Sequence, residues 1–262
     1  MKFLLPAVCL SILSLFANRT HAAPELYAFE NGLGFGTDAE EAAFLKKLGY
    51  AGVSQVKSGG ETLARKTAAY GAEGLRVLSV YRDVGETGVD AKDLLPLAGK
   101  DATIELTIRE MKPGTLAAVR KTCLAAEGLG MRVAIYPHHG YGIATMPQAL
   151  DLVSKVDHPN LGVMFNLCHF LRGEDAADLE KVLKSAGEHL FAVSVSGADS
   201  GGEEWDALIK TLDQGSFDQK NLLDTLDKAG FKAPFALQCY AIKGDKKENL
   251  ARSMAAWKKL TE

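Results

Sequence analysis

The sequence has few cysteines, and none of them stand close together. Its four cysteines are Cys9, Cys123, Cys168 and Cys239, and no Cys-x-x-Cys pair occurs. Disulfide frameworks and structural zinc sites need closely spaced cysteines or histidines. The spacing therefore excludes both classes. We interpret the three cysteines after residue 22 as small buried hydrophobic residues.

The chain also lacks an excess of positive charge. Lysine and arginine together number 30, against 33 aspartate and glutamate residues, which gives a formal net charge of −3. Proteins that bind nucleic acid or anionic membrane surfaces usually carry a basic stripe or patch. We therefore expect no nucleic-acid partner.

A dinucleotide-binding fingerprint is missing as well. The glycines of Gly32-Leu33-Gly34-Phe35-Gly36 follow the first predicted strand but lack the Gly-x-Gly-x-x-Gly spacing. We therefore expect no dinucleotide site here.

Only the N-terminus has a long apolar run. Lys2 precedes the largely apolar residues 3–16, and Thr20-His21-Ala22 then offers small residues at a cleavage site. The run is shorter than the roughly 20 residues of a membrane span. The pattern predicts a signal peptide at residues 1–22 and a secreted or periplasmic protein with no membrane span after processing. A retained N-terminal anchor is the alternative.

Short apolar runs alternate with longer helical patterns along the rest of the chain. Eight runs predict buried strands, at residues 26–29, 52–56, 75–80, 102–106, 132–136, 161–165, 190–195 and 235–239. Amphipathic spacing predicts helices at residues 39–48, 61–70, 114–129, 146–156, 174–186 and 217–229. A strand followed by a helix about eight times predicts an α/β protein, a single (β/α)8 TIM barrel over residues 23–262.

Polar and aromatic side chains gather where the predicted strands end, which is where a barrel of this kind has its active site. They are Glu30, Asn31, Gln55, Lys57, Tyr81, Arg82, Asp83, Glu105, Thr107, Arg109, Tyr136, His138, His139, Asn166, His169, Ser196, Asp199, Gln238 and Tyr240. Hydroxyl-rich sugars need paired donors and acceptors, and their C–H faces suit aromatic rings. These residues favour a small-molecule carbohydrate as partner. Helix capping or turn closure is the alternative role for any one of them.

Four segments of the chain carry a resemblance to a known family. They are Leu-Gly-Tyr-Ala-Gly-Val at 48–53, Val-Ala-Ile-Tyr-Pro-His-His-Gly at 133–140, Pro-Asn-Leu-Gly-Val-Met-Phe-Asn-Leu-Cys-His at 159–169 and Phe-Ala-Leu-Gln-Cys-Tyr at 235–240. With Trp257 in the last helix, they resemble the xylose isomerase-like barrels, which include sugar phosphate isomerases, epimerases and endonuclease IV. The resemblance covers most of residues 23–262.

The resemblance breaks at the metal site. It implies a divalent metal held by Glu, Asp, His and Glu on strands five to eight, but the matching positions here are Tyr136, Asn166, Ser196 and Gln238. Only His169 matches, at a substrate-binding histidine of the family. Hard cations prefer carboxylates, and an amide cannot act as a general base. We expect a divergent member that binds no metal at these positions, although a displaced site of Glu30, Glu105 and the histidines is an alternative.

The favoured function is acid/base isomerisation, epimerisation or elimination on a free sugar or glycoside. Imidazoles titrate near neutral pH, so His138 and His169 are the expected catalytic residues, with Glu105 in support. The expected substrate-binding residues are Glu30, Tyr136, His139, Asn166, Ser196, Gln238 and Tyr240. The alternatives are a non-catalytic carbohydrate-binding barrel and a glycoside hydrolase that uses Glu30 and Glu105 as its two carboxylates.

Overall fold

All eight predicted strands are present in the computed structural model, which describes residues 23–262. They are β1 (Leu26–Phe29), β2 (Gly52–Ser54), β3 in two segments (Arg76–Val77 and Ser79–Asp83), β4 (Thr103–Thr107), β5 (Arg132–Ile135), β6 (Leu161–Asn166), β7 (Leu190–Val195) and β8 (Phe235–Leu237). The predicted signal peptide lies outside the described residues.

The strands close into a barrel. Each pairs in parallel with the next along the chain, and β8 pairs with β1. The first segment of β3 pairs with β2 and its second segment pairs with β4. A bridge from Val56 to Val80 continues the pairing of the second segment toward β2. The predicted single TIM barrel is therefore confirmed.

Helices surround the barrel and cap its strand ends. They are α1 (Asp38–Leu48), α2 (Gly60–Ala72), α3 (Thr115–Gly128), α4 (Met146–Val156), α5 (Leu167–Gly173), α6 (Leu179–Ala186), α7 (Trp205–Leu208), α8 (Gln219–Lys228) and α9 (Lys246–Thr261). Within residues 23–262, no helix is both long and apolar enough to cross a bilayer.

The helix pattern differs from the prediction at α5 and α7, which were not predicted, and in two further regions. The helix predicted at 174–186 begins only at Leu179, because a 3₁₀ turn (Ala176–Asp178) precedes it and is capped by the Asp175 carboxylate. After β3, a 3₁₀ helix (Ala91–Leu97) occupies the position of a barrel helix. Pro96 lies inside that segment and has no backbone N–H to donate, so a regular α-helix is disfavoured there.

Apolar residues fill two layers of the molecule. The larger layer packs the outer strand faces against the helices, and the smaller one lies inside the barrel. Phe29, Ala134, Tyr136, Met164 and Ala236 form the inner layer. The polar residues at the strand ends lie directly above this inner layer.

Glycine is required where β2 begins. Gly52 has φ +151°, and a Cβ built there would lie 1.9 Å from the carbonyl oxygen of Arg76 on the neighbouring strand. Gly52 therefore allows β2 and β3 to approach closely at this point. This packing is a physical reason for the second glycine of the Leu-Gly-Tyr-Ala-Gly-Val segment.

Candidate active site

A cavity of about 340 Å³ opens at the C-terminal ends of the strands. Its lining is polar and aromatic: Asn31, Gln55, Lys57, Tyr81, Arg109, Tyr136, His138, Tyr141, His169, Trp205, Ile209, Gln238 and Tyr240. The volume falls within the range typical of small-molecule sites. The cavity occupies the end of the barrel at which TIM-barrel enzymes carry their active sites.

Two histidines from adjacent strand ends are in contact at this cavity, with their ring planes tilted by 39° to each other. The rings of His138 and His169 have their centroids 4.0 Å apart. Nδ1 of His138 lies 3.0 Å from the carbonyl oxygen of His139, so that nitrogen carries the proton and donates. The backbone N–H of His139 donates to Nδ1 of His169 at 3.2 Å, so that nitrogen is unprotonated. The one residue His139 therefore sets opposite tautomers on its two neighbours.

Burial keeps both rings neutral. It is the largest cause that lowers the pKa of His138, to which the positive charge of Arg109 adds. Burial also lowers the pKa of His169, to about 3, with the neighbouring histidines adding to the shift. At neutral pH the pair therefore offers the lone pair of His138 Nε2 and the N–H of His169 Nε2.

Aromatic rings hold the two histidines in place. The ring of Tyr141 stacks on His138 at 4.0 Å, and the guanidinium of Arg109 lies 4.5 Å from the centroid of the same Tyr141 ring. Trp205, on the short helix α7, contacts His169 edge-on at 5.2 Å. These contacts restrict both imidazoles to one orientation at the cavity wall.

Three side chains connect β5 and β6 beneath the histidines. Asn166 Nδ2 donates to the Tyr136 hydroxyl at 2.7 Å, and Cys168 Sγ donates to Asn166 Oδ1 at 3.0 Å. Burial raises the pKa of the Cys168 thiol to about 12, so it stays protonated and able to donate. Both polar atoms of the Asn166 amide are therefore paired with protein groups.

The Gln238 amide is similarly engaged. Its Oε1 accepts from Asn31 Nδ2 at 2.8 Å and from the backbone N–H of Tyr240 at 3.0 Å. The amide also interacts with the Cys168 thiol. These bonds fix Gln238, which is buried but still contributes to the cavity wall.

Ser196 does not reach the cavity. Its hydroxyl is buried and donates to the carbonyl oxygen of Leu208 at 3.1 Å, while its own carbonyl accepts from Gln219 Nε2 at 2.7 Å. Ser196 therefore ties the loop after β7 to helices α7 and α8.

Glu105 lies below the cavity, inside β4. Its carboxylate accepts hydrogen bonds from Ser79 Oγ at 2.6 Å and from Gln55 Nε2 at 3.1 Å, and Ser54 Oγ lies 3.4 Å away. Only 1% of the residue is exposed. Burial raises the pKa of this carboxyl to about 7, and the three hydrogen bonds act against that rise.

Gln55 lies between Glu105 and the cavity and bonds the Glu105 carboxylate. Gln55 lines the cavity wall while its Nε2 bonds Glu105, and it adopts φ +57°, in the left-handed region. Non-glycine residues held in this region cost free energy and are common at functional sites.

Glu30 is engaged at the edge of the site. Its Oε1 lies 3.3 Å from Lys66 Nζ, and its Oε2 accepts from the backbone N–H of Lys57 at 2.8 Å. Its carboxylate therefore joins the turn after β1 to the loop after β2.

A comparison with protein-family models matches residues 94–260 to the xylose isomerase-like TIM barrel. The match covers more than half of the chain. The chain belongs to this family.

Solved structures support the same fold. The chain is similar to a 3-keto-D-glucoside 4-epimerase, YcjR, from E. coli, with 16% identity, TM-score 0.66, and coverage of 89% of this chain and 98% of that one. It is similar to a D-allulose 3-epimerase from Methylomonas sp., with 14% identity, TM-score 0.68, and coverage of 92% and 98%. A third is a xylose isomerase-like TIM barrel/4-hydroxyphenylpyruvate dioxygenase fusion protein, with 17% identity and TM-score 0.66. The match covers 90% of this chain but only 42% of the fusion protein. A comparison with curated proteins found no match.

The donor set of this xylose isomerase-like barrel does not fit a divalent metal. At the four matching positions, Tyr136 and Asn166 bond each other, Gln238 bonds Asn31, and the Ser196 hydroxyl donates to the Leu208 carbonyl at the end of α7. None of the four supplies a carboxylate or an imidazole, the ligands such sites need. Within residues 23–262, no three His, Cys, Asp or Glu side chains are grouped so as to hold a metal ion, the displaced set of Glu30, Glu105 and the histidines included.

The structure brings together about half of the predicted site residues. Tyr136, His138, His169, Gln238 and Tyr240 line the cavity. Glu30, Glu105, His139, Asn166 and Ser196 do not line it, although all of these except Ser196 bond a residue that does. Their roles in binding or catalysis stay predictions.

Three lining residues escaped the sequence analysis: Tyr141, Trp205 and Ile209. They lie away from the strand ends: Tyr141 is in the loop after β5, Trp205 begins α7, and Ile209 directly follows α7. Tyr141 could have been predicted as a lining residue, because it is an aromatic residue two positions after the His138-His139 pair. The sequence gives no comparable signal for Trp205 or Ile209.

Proposed function

We propose that this chain binds a sugar in the cavity and transfers a proton on it with His138 and His169, without a divalent metal. The observation that carries the proposal is the pair of contacting imidazoles with opposite tautomers. The family of the chain, and the epimerases among its structural neighbours, support sugar chemistry. The aromatic rings of the cavity wall suit the C–H face of a sugar ring.

The two rings have complementary roles in this mechanism. The His138 Nε2 lone pair accepts the proton from a carbon next to the sugar carbonyl, as a general base. His169 Nε2–H donates a hydrogen bond to the carbonyl oxygen, where negative charge develops. A neutral imidazole can polarise a carbonyl in this way. Return of the proton from His138 to the neighbouring carbon, while a hydroxyl proton of the enediol passes to the first carbonyl oxygen, completes isomerisation. Epimerisation is completed when water delivers a proton to the opposite face and His138 releases its own proton to water.

Proton exchange with solvent tests this mechanism. The purified protein, dialysed against EDTA, is incubated in D2O with a panel of ketoses and aldoses, and proton NMR follows the C–H signal next to the carbonyl. We expect deuterium incorporation that His138→Asn and His169→Asn each reduce by at least about 100-fold, the usual size of general-base effects. His189→Asn, at an exposed histidine, is the matched control.

Two results would contradict the mechanism. Exchange that survives in both histidine variants would assign the chemistry to other residues. Exchange that EDTA abolishes and Mn²⁺ restores would contradict the metal-free proposal.

A non-catalytic carbohydrate-binding barrel is the second candidate. The observation in its favour is that no carboxylate lines the cavity in residues 23–262. Sugar binding by calorimetry with no exchange and no new product would favour it. The same observation disfavours a two-carboxylate hydrolase, because Glu105 lies beneath the cavity and Glu30 is occupied by Lys66 and the Lys57 backbone.

The place of action is also a proposal. The pattern of residues 1–22 supports export, so we propose a secreted or periplasmic protein. N-terminal sequencing of the protein from its native host tests this, and a chain that begins at Ala23 is the expected result.

A further inference from the structure

The cavity is positively charged in a chain that is negative as a whole. Lys57 and Arg109 are the permanently charged side chains on its wall, and among residues 23–262 no aspartate or glutamate joins them there. The histidines are held neutral by burial. The chain as a whole carries a formal net charge of −3. Asp83, which does not line the cavity, pairs with Arg109, so among residues 23–262 the unbalanced positive charge on this wall is that of Lys57.

Lys57 has no ion-pair partner in the described part of the chain. Its ammonium lies 5.7 Å from the centroid of the Tyr81 ring, and its only bond to a carboxylate is through the backbone N–H, to Glu30. A cation–π interaction with the Tyr81 ring is a weak attraction that keeps the Lys57 ammonium at the cavity wall. The ammonium is thus available to a ligand without breaking a salt bridge.

Arg109 is only partly neutralised. Its Nε and Nη2 both bond Oδ2 of Asp83, at 3.0 and 2.9 Å. Within residues 23–262, its Nη1 has no hydrogen-bond partner. Its guanidinium is held against the Tyr141 ring. One edge of the guanidinium therefore remains for an anion.

The two cations stand on the same side of the cavity. Lys57 lies over Tyr81 and Arg109 over Tyr141, and the side chains of these two tyrosines interact with each other. Tyr81 also contacts Tyr136 at the cavity floor, edge-on at 6.0 Å. The positive groups therefore flank one wall, next to His138.

We infer that the sugar bound by this barrel carries one anionic group, a carboxylate or a phosphate ester, that is recognised by Lys57 and Arg109. The inference rests on the proposed sugar-binding function and narrows it to acidic sugars. Recognition of the anion on this wall would hold the rest of the sugar against His138 and His169.

Paired neutral and acidic sugars test the inference. Calorimetry compares D-glucose with D-glucuronate and D-glucose 6-phosphate, and D-galactose with D-galacturonate, at low and high NaCl. We expect at least one acidic sugar to bind about tenfold tighter than its neutral parent, a difference of about 1.4 kcal/mol. The preference should weaken at high salt, because screening acts on exposed charges. The uronate and phosphate arms identify the anion.

Lys57 variants assign the preference to this wall. Lys57→Met should weaken binding of the acid about tenfold more than it weakens binding of the neutral sugar, and Lys57→Arg should restore the preference. Lys184→Met, on the exposed face of α6, is the matched control and should change nothing.

The outcomes separate the two proposals. Neutral sugars that bind as tightly as their acids, or a preference that Lys57→Met leaves intact, would overturn this inference while the sugar-binding function stands. Failure of every sugar to bind at millimolar concentration would overturn both.

Discussion

The side-chain nitrogen of Asn166 donates a hydrogen bond to the hydroxyl of Tyr136 at 2.7 Å. These residues occupy two of the four positions at which the family resemblance implies metal ligands. Here their side chains form a hydrogen bond with each other, as those of Gln238 and Asn31 do. The polar groups that would otherwise face a cation are thus bonded within the protein, and none of them carries a charge.

Restoring carboxylates at these positions should create a metal site. We predict that the triple variant Tyr136→Glu, Asn166→Asp, Gln238→Glu is less stable than the native chain without metal, because three buried carboxylates repel one another. Mn²⁺ should then stabilise it, by about 2.7 kcal/mol when the free metal is 100-fold above its Kd. Thermal denaturation with and without Mn²⁺ measures this.

The native chain and Gln148→Glu, at an exposed position, are the controls for this experiment. Neither should respond to Mn²⁺. Equal stabilisation of all three proteins by the metal would contradict our interpretation of the four positions.

His169 should make the fold sensitive to acid. Its pKa is about 3 in the folded chain and near 6.5 when unfolded, so the unfolded state binds an extra proton between these values. The contribution of neutral His169 is fully present above pH 6.5 and is lost as the pH falls. From pH 7 to 5, we expect the native chain to lose about 2 kcal/mol more than His169→Gln does.

Urea denaturation at the two pH values measures that difference, and His189→Gln is the control because His189 is exposed. A His169→Gln variant whose stability falls as steeply as that of the native chain would rule out a depressed pKa at His169.

Glu105 should act in the opposite direction. Its pKa is about 7 in the folded chain and near 4.5 when unfolded, so the folded state keeps a proton that the unfolded state releases. Stability from this group is therefore present at low pH and is lost as the pH rises through 7. From pH 5 to 7, Glu105→Gln should gain about 2 kcal/mol relative to the native chain.

The exposed Glu73→Gln is the matched control, and its stability should follow that of the native chain at both pH values. If Glu105→Gln behaves in the same way as this control, the carboxyl is ionised in the folded protein at pH 5.

The sequence predicts the barrel well because its signals are local. Apolar runs mark the strands, and Gly49, with φ +99°, ends α1 in the left-handed conformation that the Leu48-Gly49 pair indicates. The histidine pair follows from two strand ends that are adjacent in a parallel barrel. These inferences need only periodicity and strand order.

The remaining site residues depend on tertiary contacts. The Ser196 hydroxyl donates to the carbonyl oxygen of Leu208, twelve residues away, and no local sequence pattern predicts this hydrogen bond. Glu105 lies within β4 and not beyond its end. Because side chains alternate along a strand, an error of one residue in the predicted strand end changes whether a side chain reaches the cavity. Trp205 enters the cavity from a loop helix with no strand nearby in sequence.

Gly52 provides a test of the barrel itself. Alanine at this position would place a Cβ 1.9 Å from the Arg76 carbonyl and would have to adopt φ +151°, which L-residues rarely do. Relief requires β2 and β3 to separate where they pair, and this should cost at least about 2 kcal/mol. Gly71→Ala is the matched control, since Gly71 lies in α2 with nothing within 4 Å of the place its new methyl group would take, and it should gain up to about 1 kcal/mol. Urea denaturation of both variants measures the contrast, and a Gly52→Ala variant as stable as Gly71→Ala would mean that the two strands do not approach as closely as described.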